Sequence, residues 1–214
     1  MKTASTSRAK SKQQIVSEFR CDAILSAART VFARKGFTLG IMDEIAHEAG
    51  IAKGTIYLYF RSKDEVYKAL LEHDMRILQK STLERIEKAV GLKKKIHAFL
   101  LARLENADEK REFFRIIDSE RASLSITRRQ YRDFLRDPAE RLTEAITAAQ
   151  LKGEVRNVDA EKTAWLIVDV ARGAIQRRLL SQTPPPPAED AAFLLDFIWT
   201  ALAIQKTSKP LTKK

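Results

Sequence analysis

A chain of 214 residues with 44% hydrophobic residues and a formal net charge of +11 is long enough to bury a full core without covalent staples. Its single cysteine, Cys21, excludes an intramolecular disulfide and a multi-cysteine metal site, and points to a reducing, intracellular setting. The basic balance favours an anionic partner such as nucleic acid, and Lys plus Arg outnumber Asp plus Glu by 12 to 7 over residues 1–70 and by 27 to 21 beyond.

No run reaches the roughly 18 apolar residues of a membrane span, and the N-terminal MKTASTSRAKSKQQ lacks the apolar core of a secretory signal. A soluble, cytoplasmic protein without a membrane partner is expected.

Residues 1–18 mix Ser, Thr, Lys and Arg with little apolar content, which predicts a disordered basic arm. From Phe19 onward Ile24, Ala27, Ala28, Val31 and Phe32 repeat at helical spacing, and Gly36 after Arg34 and Lys35 reads as a stop. Two short helical patterns follow, Met42 to Ala49 and Lys53 to Tyr59. They are hinged on Gly50, the residue best suited to the left-handed conformation of a sharp turn. Ser62-Lys63-Asp64-Glu65 is a capping box opening a fourth helix, whose apolar face runs through Val66, Ala69, Leu70 and Ile77 toward residue 90.

Beyond Gly91 the pattern stays helical, through Ile96, Phe99, Leu100 and Leu104 and then Phe113, Phe114, Ile116 and Ile117. Asp137-Pro138-Ala139-Glu140 predicts a helix start, with Asp137 as cap and Pro138 at the first helical position, and Lys152-Gly153 its end. Two more helices are predicted, about 159–180 and 189–205, separated by a stiff extended link at Pro184 to Pro187. With no alternating strand pattern in competition, the chain reads as all-α.

Enzyme signatures are missing. His47, His73 and His97 are far apart, and neither a phosphate-cradling glycine loop nor a nucleophile elbow is present. No catalytic residue, metal ligand or cofactor is assigned, and the protein reads as a non-enzyme.

The stretch GFTLGIMDEIAHEAGIAKGTIYLYFRSKDEVY resembles the DNA-binding region of TetR-family transcriptional regulators, AcrR-like in type, over about residues 19–71. Ala49-Gly50 matches the family's turn, Gly54-Thr55-Ile56-Tyr57 its recognition-helix core, and Tyr59-Phe60-Arg61-Ser62-Lys63 its junction into the next helix. The resemblance implies DNA contacts from Lys53, Gly54, Thr55, Tyr57, Tyr59 and Lys63. Lys53 and Thr55 project from the first turn of the recognition helix toward base edges. Gly54 lets the backbone approach the duplex, and the positive end of the helix faces phosphate. Tyr57 and Tyr59 combine packing rings with hydroxyls that reach phosphate, and Lys63 stands at the family's phosphate-anchoring position. Phe60 reads as core. Arg61 is either a phosphate contact or an exposed neighbour of the cap, and Lys10, Lys12 and Arg20 form either a DNA-tracking arm or a solubilising tail. Two departures stand out. Gly40-Ile41 replaces the family's threonine pair, leaving Gly40 as a weak cap with Thr38 nearby, and Ala52 replaces a capping Ser or Thr.

The domain division expected is an arm at 1–18, a three-helix helix-turn-helix DNA-binding domain at 19–65, a C-terminal helical ligand-binding and dimerisation domain at 66–205, and a basic tail at 206–214. Phe99, Phe113, Phe114, Ile117, Tyr131, Phe134 and Trp165 are candidate pocket residues, and Arg172 either meets an anionic ligand or pairs with Asp169. Val168, Ala171 and Ile175 in one terminal helix, and Phe193, Phe197, Ile198 and Ala201 in the other, are candidates for a homodimer interface or for the monomer's own core. The family implies a homodimeric repressor on a palindromic operator in double-stranded DNA, released when a small-molecule effector tilts the fourth helix. The alternative is an all-α small-molecule-binding or catalytic protein with a vestigial helix-turn-helix.

Overall fold

Apolar residues recurring at three and four positions, with breakers only at Gly and Pro, fold into eight helices in the described residues of a computed structural model, which describes residues 12–111, 114 and 125–204. In chain order these are α1 (Lys12–Leu39), α2 (Met42–Glu48), α3 (Lys53–Ile56), α4 (Lys63–Lys88), α5 (Leu92–Glu109), α6 (Ser125–Leu151), α7 (Ala160–Leu180) and α8 (Pro187–Leu202). The chain divides into two compact units, Met1–Asp74 and Met75–Lys214. The boundary falls inside α4, later than the expected 65–66 junction, because the first turns of α4 complete the core of the first unit. Among the described residues no helix is long and apolar enough to cross a membrane.

Helix α1 begins earlier than Phe19. Residues 12–18 are helical, since nothing between Lys12 and Gly36 breaks the pattern and Gln and Glu are good helix formers. Residues 1–11 of the expected arm and the whole expected tail at 206–214 lie outside the described residues. Gly36 departs from helical geometry at φ 75 and ψ 169, at the predicted stop.

The first unit buries one stripe from each of its helices: Ile24, Ala28, Val31 and Phe32 from α1, Met42, Ile45 and Ala46 from α2, Ile56 from α3, and Val66, Tyr67, Leu70 and Leu71 from α4. Burying each of the larger aliphatic and Phe side chains among these is worth about 1.5–3 kcal/mol. Phe32, Phe37 and Tyr67 form a ring cluster with centroids 4.7 to 5.7 Å apart. A two-toothed ion pair clamps α1 to α4, Arg29 donating to Asp74 Oδ2 at 3.0 Å and to Oδ1 at 2.5 Å. Cys21 is half-buried, and burial first, then the charges of Asp22 and Glu18, push its thiol above the ordinary range.

In the second unit α5 packs against α6, α7 and α8, and α6 against α7. The buried face of α4 continues through Met75, Leu78 and Ile86, leaving Ile77 half exposed one position out of phase. Pro138 does not start a helix: α6 runs through it from Ser125. Its stripe of Phe134, Leu135, Ala139, Leu142, Ile146 and Ala149 is buried on both sides of the proline, so packing outweighs the one backbone hydrogen bond a proline forfeits. Asp137 accepts from Gln79 Nε2 at 2.6 Å instead of capping. Gly153, at φ 68, closes the helix as predicted. Pro187 is the first residue of α8, with Pro186 at its cap, so the proline run is part link and part helix start.

Candidate nucleic-acid interface

The helix-turn-helix is built on Gly50. Its φ of 64 lets the Ile51 N–H reach the Ala46 carbonyl and its own N–H reach that of His47, both at 3.0 Å. This double closure ends α2 and turns the chain into α3. Ile56 at 0% and Phe60 at 7% exposure seat the short α3 on the core. Seating these two leaves Lys53, Gly54, Tyr57 and Leu58 outside, with Thr55 and Tyr59 half-buried between. Phe60 is core, as its spacing suggests.

Each predicted contact residue has a definite place. A Cβ built on Gly54 would meet nothing within 4 Å, so no packing inside the head requires a glycine there. Tyr57 is 44% exposed. Lys63 Nζ donates to the Thr38 carbonyl at 3.0 Å and lies 4.6 Å from the centre of the Phe37 ring. Its ammonium is thereby held at the end of α1 with donors to spare. The box that opens α4 is formed: Ser62 Oγ accepts from the Glu65 N–H at 3.2 Å, and Glu65 Oε2 accepts from the N–H of Arg61, one residue before the cap, at 2.6 Å. Arg61 itself is exposed.

The helix starts differ from expectation in one respect. Ile41, not Gly40, occupies the cap position of α2, in extended backbone and without a side-chain bond, and Ala52 does the same for α3. Gly40 instead packs against Phe32.

Sequence reasoning missed Asp43. Its carboxylate accepts from Lys53 Nζ at 2.8 Å, with the two side chains 47% and 66% exposed. That hydrogen bond first, and the Asp43 charge second, raise the Lys53 ammonium above the ordinary lysine value. Residues 43 and 53 lie on different helices, and only the turn at Gly50 brings them together. Leu58, 83% exposed beside Tyr57, was also not singled out.

Phe99, Phe114 and Phe134 are buried at 1%, 5% and 5% exposure. The buried guanidinium of Arg103, which the apolar pattern of α5 hides, lies 4.8 Å from the Phe134 ring centre and 5.9 Å from that of Phe114. Trp165 lines a cleft of about 390 Å³ with Arg136, Glu140, Glu144 and Glu161. Arg172 is exposed and paired with Asp169 at 3.0 Å, the second of its two expected roles. Phe113, Ile117 and the Tyr131 side chain lie outside the described residues. Of the dimer candidates, Val168, Ala171, Ile175 and Ile198 are buried in the unit's own core, whereas Phe193, Phe197 and Ala201 are exposed. The stripe on α7 serves the monomer because α5 and α6 already cover it.

Residues 24–70 match the family of bacterial regulatory proteins described as the tetR family. The chain is 47% identical over 49 residues to the uncharacterised HTH-type transcriptional regulator YfiR of Bacillus subtilis, a match covering 23% of this chain and 24% of that protein. It is 34% identical over 73 residues to the fatty acid metabolism regulator protein of the same organism, covering 34% and 38%. The matches to these two curated relatives thus span well under half of the relatives' length. Solved structures share the fold over more of the chain. The transcriptional regulator FadR from Bacillus subtilis in complex with stearoyl-CoA superposes with a TM-score of 0.70 at 20% identity, over 83% of this chain and 96% of that one. A transcriptional regulator from Saccharomonospora viridis in complex with choline gives 0.75 at 20% identity, over 88% and 100%. The fold, helical in its named elements among the described residues, is therefore shared by this chain and those proteins.

Proposed function

We propose that the protein, whose residues 24–70 match the tetR family of bacterial regulatory proteins, is a cytoplasmic, homodimeric, sequence-specific DNA-binding regulator, a repressor released from a palindromic operator by a small-molecule effector. The observation that carries the reading is the outer face of α3. Lys53, Gly54 and Tyr57 are presented to solvent on a helix seated by Ile56 and Phe60, and the open space at Gly54 suits close approach of a partner backbone. Lys53 and Thr55 read base edges, and Tyr57, Tyr59 and Lys63 anchor phosphate.

The second unit supplies dimerisation and effector binding. Phe193, Phe197 and Ala201 recur every four residues along the exposed side of α8, an apolar row suited to a second copy of the chain. Such pairing sets two recognition helices at the half-sites of a palindrome. An effector site is supported by the stearoyl-CoA and choline held by proteins of the same fold, and the aromatic side chains of Phe114, Phe134 and Trp165 are its candidates.

The test is selection of genomic fragments by the purified protein, followed by binding measurements on the retained sequence. Lys53→Ala is expected to alter sequence preference, and Lys63→Ala to weaken binding across sequences and reduce the salt slope by about 1. Sequence-independent binding with an ordinary salt slope, unchanged by Lys53→Ala, overturns the reading.

A further inference from the structure

The ion pair between Lys53 and Asp43 bears on how DNA is chosen. Over residues 40–63 the helix-turn-helix carries Asp43, Glu44 and Glu48 against Lys53, Arg61 and Lys63, no net charge. Lys35 meets Glu44 at 2.5 Å, so that carboxylate is engaged on the α1 side, while Asp43 faces Lys53. An exposed carboxylate 2.8 Å from the leading lysine of α3 competes with phosphate for the ammonium and repels phosphate itself. Base edges differ from phosphates in offering donors as well as acceptors. Guanine presents N7 and O6 to a lysine, and cytosine presents its N4 amino group to a carboxylate.

We propose that Asp43 is a specificity-determining residue: it withholds Lys53 from the phosphate backbone, and the pair is given up only to a base pair that offers Lys53 an acceptor and Asp43 a donor, as a G·C pair does. The proposal rests on the DNA-binding reading above. Loss of the acid frees Lys53 to bind any phosphate, so binding to unrelated DNA rises while discrimination falls. Neutral Asn is the closest replacement in shape, and Ser is a second, smaller polar replacement at this position inside α2.

The experiment compares wild type, Asp43→Asn, Asp43→Ser and the double variant Asp43→Asn with Lys53→Met. Each is measured by fluorescence anisotropy on a duplex selected by the wild type from a randomised library, and on an unrelated duplex, across a salt series. For both single variants the salt slope on the unrelated duplex should steepen by about 1, the signature of one added phosphate contact. The preference for the selected duplex should fall at least about fivefold, the low end for one lost base-pair discrimination. The double variant should restore the wild-type slope. Slopes and preference ratios unchanged in both single variants overturn the role of Asp43 and leave the DNA-binding reading standing. A wild-type protein that enriches no sequence and retains no duplex at low salt overturns both.

Discussion

Gly40 lies against the edge of the Phe32 ring: a Cβ on Gly40 would stand 3.0 Å from Phe32 Cδ1 and 3.1 Å from Cε1. Phe32 has little room to yield, being 1% exposed and holding the rings of Phe37 and Tyr67 at 5.7 Å. Gly40 is therefore matched to a large aromatic on α1. Gly40→Thr is expected to cost about 1–3 kcal/mol through overpacking, with Gly40→Ala at the lower end. Urea unfolding followed by circular dichroism measures it, and an unchanged midpoint for both variants would show that the ring moves freely.

A buried charge cluster ties the second unit together. Arg178, 2% exposed, reaches Asp190 of α8 and Asp108 of α5, both at 2.5 Å. Burial draws its basicity down, but the two carboxylates outweigh it and the guanidinium is more basic than usual. Arg178→Ala removes the shared partner of two carboxylates, of which Asp190 keeps Arg177 at 3.2 Å and Asp108 is 31% exposed, and is expected to lower stability by about 1–3 kcal/mol. Arg178→Lys keeps the charge but not the fork, and should recover only part of that. Equal stability of the lysine variant and the wild type would mean that geometry is unimportant in the cluster.

Acid should loosen the start of α7. Asp159 caps that helix, accepting from the Lys162 N–H at 3.0 Å. That backbone bond first, then the Lys162 side chain, holds the carboxyl below its ordinary value of 3.8. With the folded value lower than the unfolded one, the charged cap contributes fully above 3.8 and is lost as pH falls through the depressed folded value. The gap in Tm between wild type and Asp159→Ala should be constant near neutral pH and shrink below pH 3.8. Calorimetry over a pH series checks this, and a gap that widens in acid has the wrong sign.

Phe193 and Phe197 are 65% and 70% exposed on one side of α8. Replacing both with Glu adds charge to the proposed dimer surface without touching the buried Ile198. Light scattering should show the mass shift from two chains to one, and affinity for a two-half-site operator should drop at least about tenfold as the linked second head is lost. Wild-type mass in the double variant would place the dimer surface elsewhere.

Much of the head was legible in the chain because its signals are local. Gly36 and Gly50 act through their own backbone angles, and Ser62 and Glu65 bond within one turn. The same holds for the outward placement of Lys53 and Gly54, which follows from the spacing of Ile56 and Phe60. Pro138 misled because a local start signal was overruled by a buried stripe that continues on both sides of it.

By itself the sequence determined an all-helical chain with a helix-turn-helix near its start, since helical periodicity, caps and turn glycines are short-range properties of neighbouring residues. Tertiary structure alone decided which faces are covered and which are left open. It put Val168, Ala171 and Ile175 into the unit's own core, left Phe193 and Phe197 uncovered, buried Arg103 and Arg178, and set Asp43 against Lys53. Those outcomes depend on which helices meet. A periodic stripe says that a face will be covered, but the partner that covers it is fixed only when distant segments pack.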